Sequence, residues 1–254
     1  MNEQGYIAVF DSGVGGVSVL RHLIGQLPNE RFFYYGDCTN APYGDRTTAQ
    51  VRQLTLAAVE KILSQRPVKA LVVACNTATA AAIGVLRQKY PQLVIVGIEP
   101  ALKLAADRFP GGRIGVMATQ VTLREEKFDL LLHRFDAGCR IEKIPAPGLV
   151  ELIEAGHRDD AQIRQLLQQI LNPYIGKLDA LVLGCTHYPF AAAAIVHVLG
   201  EDVPLLDGGE GTARETKRRL AAAGLLRRQE GGELILTASS REEEFAALAR
   251  ALLG

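Results

Sequence analysis

Two cysteines in this chain lie within two similar sequence segments. The segment ALVVACNTATA spans residues 70 to 80 and ALVLGCTHYPF spans residues 180 to 190, so Cys75 and Cys185 each follow an apolar run that begins Ala-Leu-Val. A thiol has an ordinary pKa of about 8.5, so thiol and thiolate can coexist near neutral pH with little adjustment. Two such groups can invert a carbon that carries an acidic hydrogen, because one removes the proton while the other protonates the opposite face.

Each thiol in such a reaction needs a partner that holds or receives its proton. His187 lies two residues after Cys185, and Asp11 ends the first predicted strand, where it is a candidate partner for Cys75. Both residues could instead have an ordinary structural role. A histidine after a strand often faces solvent or forms a structural hydrogen bond, and an aspartate before Ser-Gly is often a turn former.

Polar side chains that could bind a carboxylate occur next to the cysteines and at the ends of the equivalent first strands. They are Ser12, Asn76, Thr77, Thr119 and Thr186. Hydroxyls, an amide and strand-end N–H groups can bind a carboxylate without a basic side chain. The alternative is that some of them only cap helices. A second anion site is predicted at the turn Ala41-Pro-Tyr-Gly44, which could present backbone N–H groups.

Several other chemistries are excluded by spacing. The dinucleotide fingerprint needs a third glycine where Ser18 stands, and Asp11 would repel a pyrophosphate. A cysteine phosphatase needs an arginine six residues after its cysteine, where this chain has Ala81 and Ala191. No C-x-x-C pair or histidine cluster predicts a metal site. The two remaining cysteines, at positions 38 and 139, are best explained as core thiols.

The chain alternates short β-branched runs with longer helical patterns. Strands are predicted at Tyr6 to Phe10, Arg31 to Tyr35, Ala70 to Ala74, Val94 to Ile98, Arg113 to Met117, Arg140 to Ile144, Ala180 to Leu183 and Val203 to Leu206, and helices at Thr47 to Gln65, Leu123 to Arg134 and Asp159 to Ile175. This alternation predicts an α/β fold with doubly wound parallel sheets.

The two halves of the chain resemble each other in more than the cysteine segments. Residues 6–12 resemble 113–119, and residues 94–98 resemble 204–208. We therefore predict two pseudo-symmetric domains, 1–97 plus 208–254 and 98–207, with the active site in the cleft between them. Each domain would carry its cysteine at the carboxyl end of an equivalent strand, where open α/β sheets bind ligands.

Composition indicates a compact protein that binds a small molecule. Of 254 residues, 48% are apolar, and the 28 basic and 28 acidic residues balance, so no electrostatic footprint for nucleic acid or a membrane surface is present. No signal-peptide pattern and no apolar run of bilayer length occur, which favours a cytoplasmic location.

Four ordered motifs closely resemble bacterial glutamate racemase over nearly the whole chain. They are DSGVGG at 11 to 16, PYG at 42 to 44, CNTATA at 75 to 80 and GCTHYP at 184 to 189. The resemblance implies two pseudo-symmetric α/β domains and interconversion of L- and D-glutamate for peptidoglycan synthesis in the cytoplasm. It implies no metal, pyridoxal phosphate or nucleotide cofactor, and it implies a homodimer, which the family often forms.

The resemblance also implies roles for individual residues. Cys75 would act on D-glutamate and Cys185 on L-glutamate, with Asp11 as the helper of the first thiol and His187 of the second. Glu151 would be a partner of His187. The residues that fall on substrate-binding positions of the family are Ser12, Pro42, Tyr43, Gly44, Asn76, Thr77 and Thr186.

Three stretches depart from the commonest family pattern. They are GDCTNA before the PYG motif, PAPG before Glu151, and Asp207-Gly-Gly. Some family members depend on a cell-wall precursor that binds a longer N-terminal extension. The first strand of this chain is predicted to begin at about residue 6, so we expect no such dependence.

Other functions remain open on the sequence alone. Aspartate racemase shares paired cysteines but has a glutamate in place of His187, and hydantoin racemase differs at both cysteine motifs. A regulatory or amino-acid-binding role, including the gyrase inhibition proposed for some family members, belongs to a different class. Two cysteines at duplicated strand ends favour an enzyme over a binding protein.

Overall fold

The protein forms two compact units in a computed structural model that describes residues 3–124 and 138–254. Unit 1 comprises Met1–Glu99 and Gly209–Gly254, and unit 2 comprises Pro100–Gly208. Within the described residues, no helix combines the length and the apolar character that crossing a membrane requires.

The elements alternate between strand and helix in both units. The first segment of unit 1 contains β1 (Tyr6–Asp11), α1 (Val17–Gln26), β2 (Arg31–Gly36), α2 (Thr48–Gln65), β3 (Val68–Val73), α3 (Asn76–Lys89) and β4 (Val94–Gly97). Unit 2 contains α4 (Leu102–Arg108), β5 (Arg113–Ala118), α5 (Gln120–Arg124), β6 (Arg140–Pro145), α6 (Leu149–Glu154), α7 (Ala161–Leu171), β7 (Ala180–Leu183), α8 (Ala192–Leu199) and β8 (Leu205–Asp207). The chain then returns to unit 1 with α9 (Gly209–Ala222), β9 (Glu233–Ala238) and α10 (Glu242–Leu253).

Each unit contains one parallel sheet, and the two sheets have the same strand order. The order is β4-β3-β1-β2-β9 in unit 1 and β6-β5-β7-β8 in unit 2. Read from its other edge, the second sheet is β8-β7-β5-β6, which matches the first four strands of unit 1. All strand pairs are parallel. The predicted doubly repeated α/β fold is confirmed.

The pairing register is also the same in the two sheets. Ile7 pairs with Ala70 where β1 meets β3, and Ile114 pairs with Ala180 where β5 meets β7. These central strands are buried along their lengths, as expected for parallel strands covered on both faces. The segments that end in Cys75 and Cys185 therefore occupy equivalent places in their own sheets.

One strand was missed from the sequence. β9 (Glu233–Ala238) pairs with β2 from Arg31↔Glu233 to Gly36↔Ala238 and forms an edge of the sheet of unit 1. Its residues are exposed or half-buried, so it lacks the fully apolar pattern by which the other strands were identified. Phe245 of α10 stacks on Tyr34 of β2, with ring centroids 5.7 Å apart, which fastens the returning segment to the sheet.

The helix boundaries follow capping signals. Thr47 caps α2 and forms a capping box with Gln50, so the predicted start is correct to one residue. The pattern predicted as one helix from 159 to 175 is α7 followed by a 3-10 turn, Asn172–Tyr174, with Asp160 as the N-cap. Most of the predicted helix 123–134 lies outside the described residues.

Candidate active site

The carboxyl ends of β1 and β3 place Asp11 and Cys75 at the same edge of the sheet of unit 1. Phe10 pairs with Val73 in the ladder, and the N–H of Ala74 donates to the carbonyl of Phe10 at 2.8 Å. Because parallel strands end on one side of the sheet, the residues that follow them gather there. In unit 2 the same arrangement places Thr119 after β5 and Cys185 after β7.

Cys75 is buried and occupies the N-cap position of α3. Its Sγ accepts a hydrogen bond from the N–H of Ala78 at 3.4 Å and lies 3.6 Å from the Oγ of Ser12. The N–H groups of a helix N-terminus carry partial positive charge, which favours negative charge on a sulfur placed there. The sequence explains the position, because the polar run after Cys75 begins a 14-residue helix directly at the strand end.

Asp11 is fully buried, and its carboxylate belongs to a tight turn. The N–H of Gly13 donates to Asp11 Oδ1 at 2.9 Å, and the N–H of Asp37 donates to the Asp11 carbonyl at 3.0 Å. The turn-forming alternative considered for Asp11 is therefore seen. A Cβ at Gly16 would lie 2.7 Å from the Cβ of Asp11, so this turn requires a glycine at position 16.

The PYG motif is held by a buried carboxylate that the sequence analysis did not single out. Asp37 accepts hydrogen bonds from the hydroxyl of Tyr43 at 2.7 Å and from the side-chain amide of Asn40. Burial and the charge of Asp37 raise the pKa of Tyr43 well above its usual value, so the phenol stays protonated and acts as a donor. Pro42 follows a cis peptide bond, and Tyr43–Asp45 forms one 3-10 turn.

Asn76 has a buried side chain with unused hydrogen-bonding capacity. Its exposed fraction is 6%, and in the part of the chain that the structure describes neither its amide nitrogen nor its amide oxygen has a hydrogen-bond partner. A buried polar group without a partner costs about 1–3 kcal/mol. Asn76 directly follows Cys75, and Thr77 is also buried. The amide of Asn76 therefore has a donor and an acceptor available for hydrogen bonding.

Cys185 and His187 form the corresponding group in unit 2. Both are buried, and the Sγ of Cys185 lies 3.8 Å from His187 Nδ1. The preceding glycine is required by close packing, since a Cβ at Gly184 would lie 2.8 Å from the Cβ of Ala118. The predicted role of His187 as the helper of Cys185 stays a prediction, and the structure places one of its ring nitrogens toward the thiol.

The other ring nitrogen of His187 pairs with a glutamate that sequence reasoning missed. Nε2 lies 3.0 Å from Glu154 Oε1, and the glutamate side chain is 34% exposed. A carboxylate at this nitrogen holds the imidazole orientation and stabilises its protonated form. Glu151, the residue expected from the resemblance, lies one turn earlier on the same helix, α6, and its role as a partner of His187 stays a prediction. The sequence signal for Glu154 was its spacing of three residues from Glu151, which places both glutamates on one helix.

Thr119 and Thr186 are the remaining predicted binding residues of unit 2, and one of them is seen to cap a helix. The Oγ1 of Thr119 accepts from the N–H of Thr122 at 3.3 Å and lies 3.0 Å from the hydroxyl of Thr122, so Thr119 caps α5. Thr186 is buried beside Cys185. Burial, together with the electrostatic interaction with Cys185 and Glu151, raises the pKa of Tyr188 well above its usual value.

No group of three or more His, Cys, Asp or Glu side chains suited to a metal ion occurs within residues 3–124 and 138–254. All four cysteines are free thiols. Cys139 is buried and its Sγ donates to the carbonyl of Phe109 at 3.3 Å, in keeping with a core thiol, whereas Cys38 is half-buried.

Comparison with known proteins agrees with this arrangement. The model of the Asp/Glu/Hydantoin racemase family matches residues 16–216. The chain belongs to this family. A glutamate racemase of Clostridium kluyveri is 50% identical over 216 residues, which cover 84% of this racemase and 83% of the relative.

Two solved structures share the whole fold of this racemase. Glutamate racemase isoform RacE1 of Bacillus anthracis has a TM-score of 0.89 at 35% identity and covers 98% of this chain and 94% of its own. Escherichia coli glutamate racemase, in complex with L-glutamate and the activator UDP-MurNAc-Ala, has a TM-score of 0.82 at 31% identity, covering 98% and 96%. These similarities confirm the family indicated by the four motifs.

Proposed function

We propose that this racemase interconverts L- and D-glutamate by proton transfer between two thiols, Cys75 and Cys185. The observation that carries the proposal is the equivalence of the two cysteines. Each follows a strand of the same rank in its sheet, with the same pairing register. Cys185 lies 3.8 Å from His187, and Asp11 ends the strand that pairs with the one before Cys75. The relatives named glutamate racemase support glutamate as the substrate.

In the proposed reaction, one thiolate removes the α-proton and the thiol of the other cysteine protonates the opposite face. Cys75 acts on D-glutamate, assisted by Asp11, and Cys185 acts on L-glutamate, assisted by His187. His187 receives the thiol proton at Nδ1, and Glu154 at Nε2 stabilises the charge that then develops on the ring. Acid and base are both supplied by the chain, so the cycle uses no cofactor.

The substrate carboxylates are held by uncharged donors. The unpaired amide of Asn76 and the hydroxyls of Ser12, Thr77 and Thr186 bind the amino-acid end. Ser12 lies 3.6 Å from Cys75, and the other three follow the two cysteines in the chain. The turn Pro42–Gly44, held by Asp37, binds the side-chain carboxylate. Thr119 contributes less, since its hydroxyl already caps a helix. Asn76→Ala should therefore raise KM for glutamate.

D-glutamate made in this way would supply peptidoglycan synthesis in the cytoplasm, and we expect a homodimer, as the resemblance implies. We also expect no dependence on an activator. The matching test adds UDP-MurNAc-Ala, the activator seen with the Escherichia coli relative, to purified enzyme. A rise from near zero activity would contradict this expectation.

The main test follows racemisation of both enantiomers of glutamate in deuterated water, with uptake of deuterium at the α-carbon. Cys75→Ser and Cys185→Ser should each lose inversion by several orders of magnitude, whereas Cys139→Ser, which changes a thiol away from both strand ends, should stay near wild type. If wild type leaves glutamate unchanged but inverts aspartate, the substrate assignment is wrong. If it exchanges neither, the alternative of a regulatory or gyrase-binding protein gains support.

A further inference from the structure

Tyr34 is a buried residue of β2 to which neither the motifs nor the proposed reaction assigns a role. Its hydroxyl donates a hydrogen bond to the carbonyl of Gly13 at 2.9 Å, and its ring stacks on Phe245. β2 lies beside β1 in the sheet, with Tyr34 in register with Val9. The side chain therefore reaches, from the neighbouring strand, the turn that follows β1.

Gly13, which accepts the hydrogen bond of Tyr34, also binds the Asp11 carboxylate. Gly13 accepts at its carbonyl from Tyr34 and donates its N–H to Asp11 Oδ1 at 2.9 Å. Ser12 lies between Asp11 and Gly13 in the sequence, and its Oγ is 3.6 Å from the Sγ of Cys75. One hydroxyl on β2 thus holds the turn that carries Asp11 and places Ser12 beside the thiol.

The packing around this hydroxyl leaves little freedom for it to move. A Cβ at Gly16 would lie 2.8 Å from the Tyr34 oxygen, so the glycine leaves room for the hydroxyl. Burial, and then the electrostatic interaction with Asp11, Cys38 and Cys75, raises the pKa of Tyr34 well above its usual value. The phenol stays protonated at all working pH values and remains a donor to the Gly13 carbonyl.

We propose that Tyr34 is a positioning residue for the half-reaction of Cys75. Its hydroxyl fixes Gly13, whose N–H holds the Asp11 carboxylate and whose neighbour Ser12 lies beside the sulfur. Without the hydroxyl the turn keeps its sequence but gains rotational freedom, and the productive arrangement of Asp11 is populated less often. The inference rests on the proposed function, because it assigns Asp11 and Cys75 to one proton transfer.

The test compares Tyr34→Phe with Tyr35→Phe. Both changes remove one hydroxyl from β2, but successive strand residues point to opposite faces, so only the first loses the bond to Gly13. Loss of one such bond should lower kcat/KM about tenfold for Tyr34→Phe, and Tyr35→Phe should stay near wild type. Circular dichroism and melting curves confirm that each variant is folded at the assay temperature.

The primary isotope effect distinguishes the step at Cys75 from the step at Cys185. Because the enantiomers have equal free energy in water, kcat/KM must fall equally in both directions for any variant. Slowing the transfer at Cys75 makes that step more rate-limiting. The effect measured with α-deuterated D-glutamate should therefore rise in Tyr34→Phe, while the effect with α-deuterated L-glutamate should fall. A role in stability alone would leave the ratio of the two isotope effects unchanged.

A double-mutant cycle with Asp11→Asn tests the route of the effect. If Tyr34 acts through Asp11, then adding Tyr34→Phe to Asp11→Asn should cost less than twofold beyond the single Asp11 variant. Full additivity, or an unchanged isotope-effect ratio, would overturn the proposal. The proposed function fails in a different way, since wild type itself would then not racemise glutamate.

Discussion

Lys69 offers a quantitative test of what holds unit 1 together. It lies on β3 and is fully buried, and its ammonium group lies 2.5 Å from Glu30 Oε2, a side chain that is only 3% exposed. The same nitrogen donates to the carbonyls of Glu3 at 2.7 Å and Leu225 at 2.8 Å, while Glu30 Oε1 accepts from the N–H of Arg227 at 2.9 Å. The pair joins β3 to the start of the chain and to the segment after α9.

Lys69→Met should lower the free energy of unfolding by about 3–5 kcal/mol, because it leaves the Glu30 carboxylate buried with one backbone donor. For a chain of this size, about 2–4 °C is lost per kcal/mol, so the transition that includes unit 1 should fall by roughly 6–20 °C. The double variant Lys69→Met with Glu30→Gln removes both charges and keeps an acceptor for Arg227. It should recover most of the loss.

The assay is urea and thermal unfolding followed by circular dichroism. Lys89→Met is the matched control, because Lys89 pairs with Glu60 at the surface, with side chains 44% and 56% exposed, and its unfolding midpoint should stay near that of wild type. If Lys69→Met loses no more than this control, or if the double variant is no more stable than the single one, the account of a buried, mutually dependent ion pair is wrong.

Three further predictions concern the second thiol and the surface. Glu154→Gln should lower kcat about tenfold or more with KM nearly unchanged, and steady-state kinetics would refute this if KM alone rose. Hydrogen bonds from Arg218 and then Arg219 lower the pKa of Glu215 from 4.5 to about 2. The contribution of Glu215 to stability is therefore present above about pH 4.5 and disappears as the pH falls through 2. Because the carboxylate is partly exposed, this contribution should stay below about 1 kcal/mol. Glu215→Gln and wild type should therefore unfold alike at pH 2. Gly184→Ala should lose about 1–3 kcal/mol in urea unfolding, since its Cβ would press on the adjacent strand, and an unchanged midpoint would contradict that packing.

Sequence patterns were sufficient for most elements that carry the site. The central strands are continuous apolar runs between turn residues, and such runs need two covered faces, so they indicate parallel sheets. The repeated Ala-Leu-Val segments placed both cysteines at equivalent strand ends, which the matching register confirms. β9 was missed because an edge strand with exposed residues lacks that pattern, and its pairing with β2 crosses most of the chain.

The sequence by itself determined the family, the two thiols, and the neighbours that adjoin them along the chain, because a two-residue spacing or a strand-end turn is a local property. Only the tertiary structure decided which distant side chains complete them. It pairs His187 with Glu154, fixes Tyr43 through Asp37, and brings Tyr34 to the turn that holds Asp11. Several glutamates and tyrosines of the chain could fill these roles by type. The choice among them depends on which hydrogen bonds the packed elements bring within about 3 Å, and that distance is set by the fold.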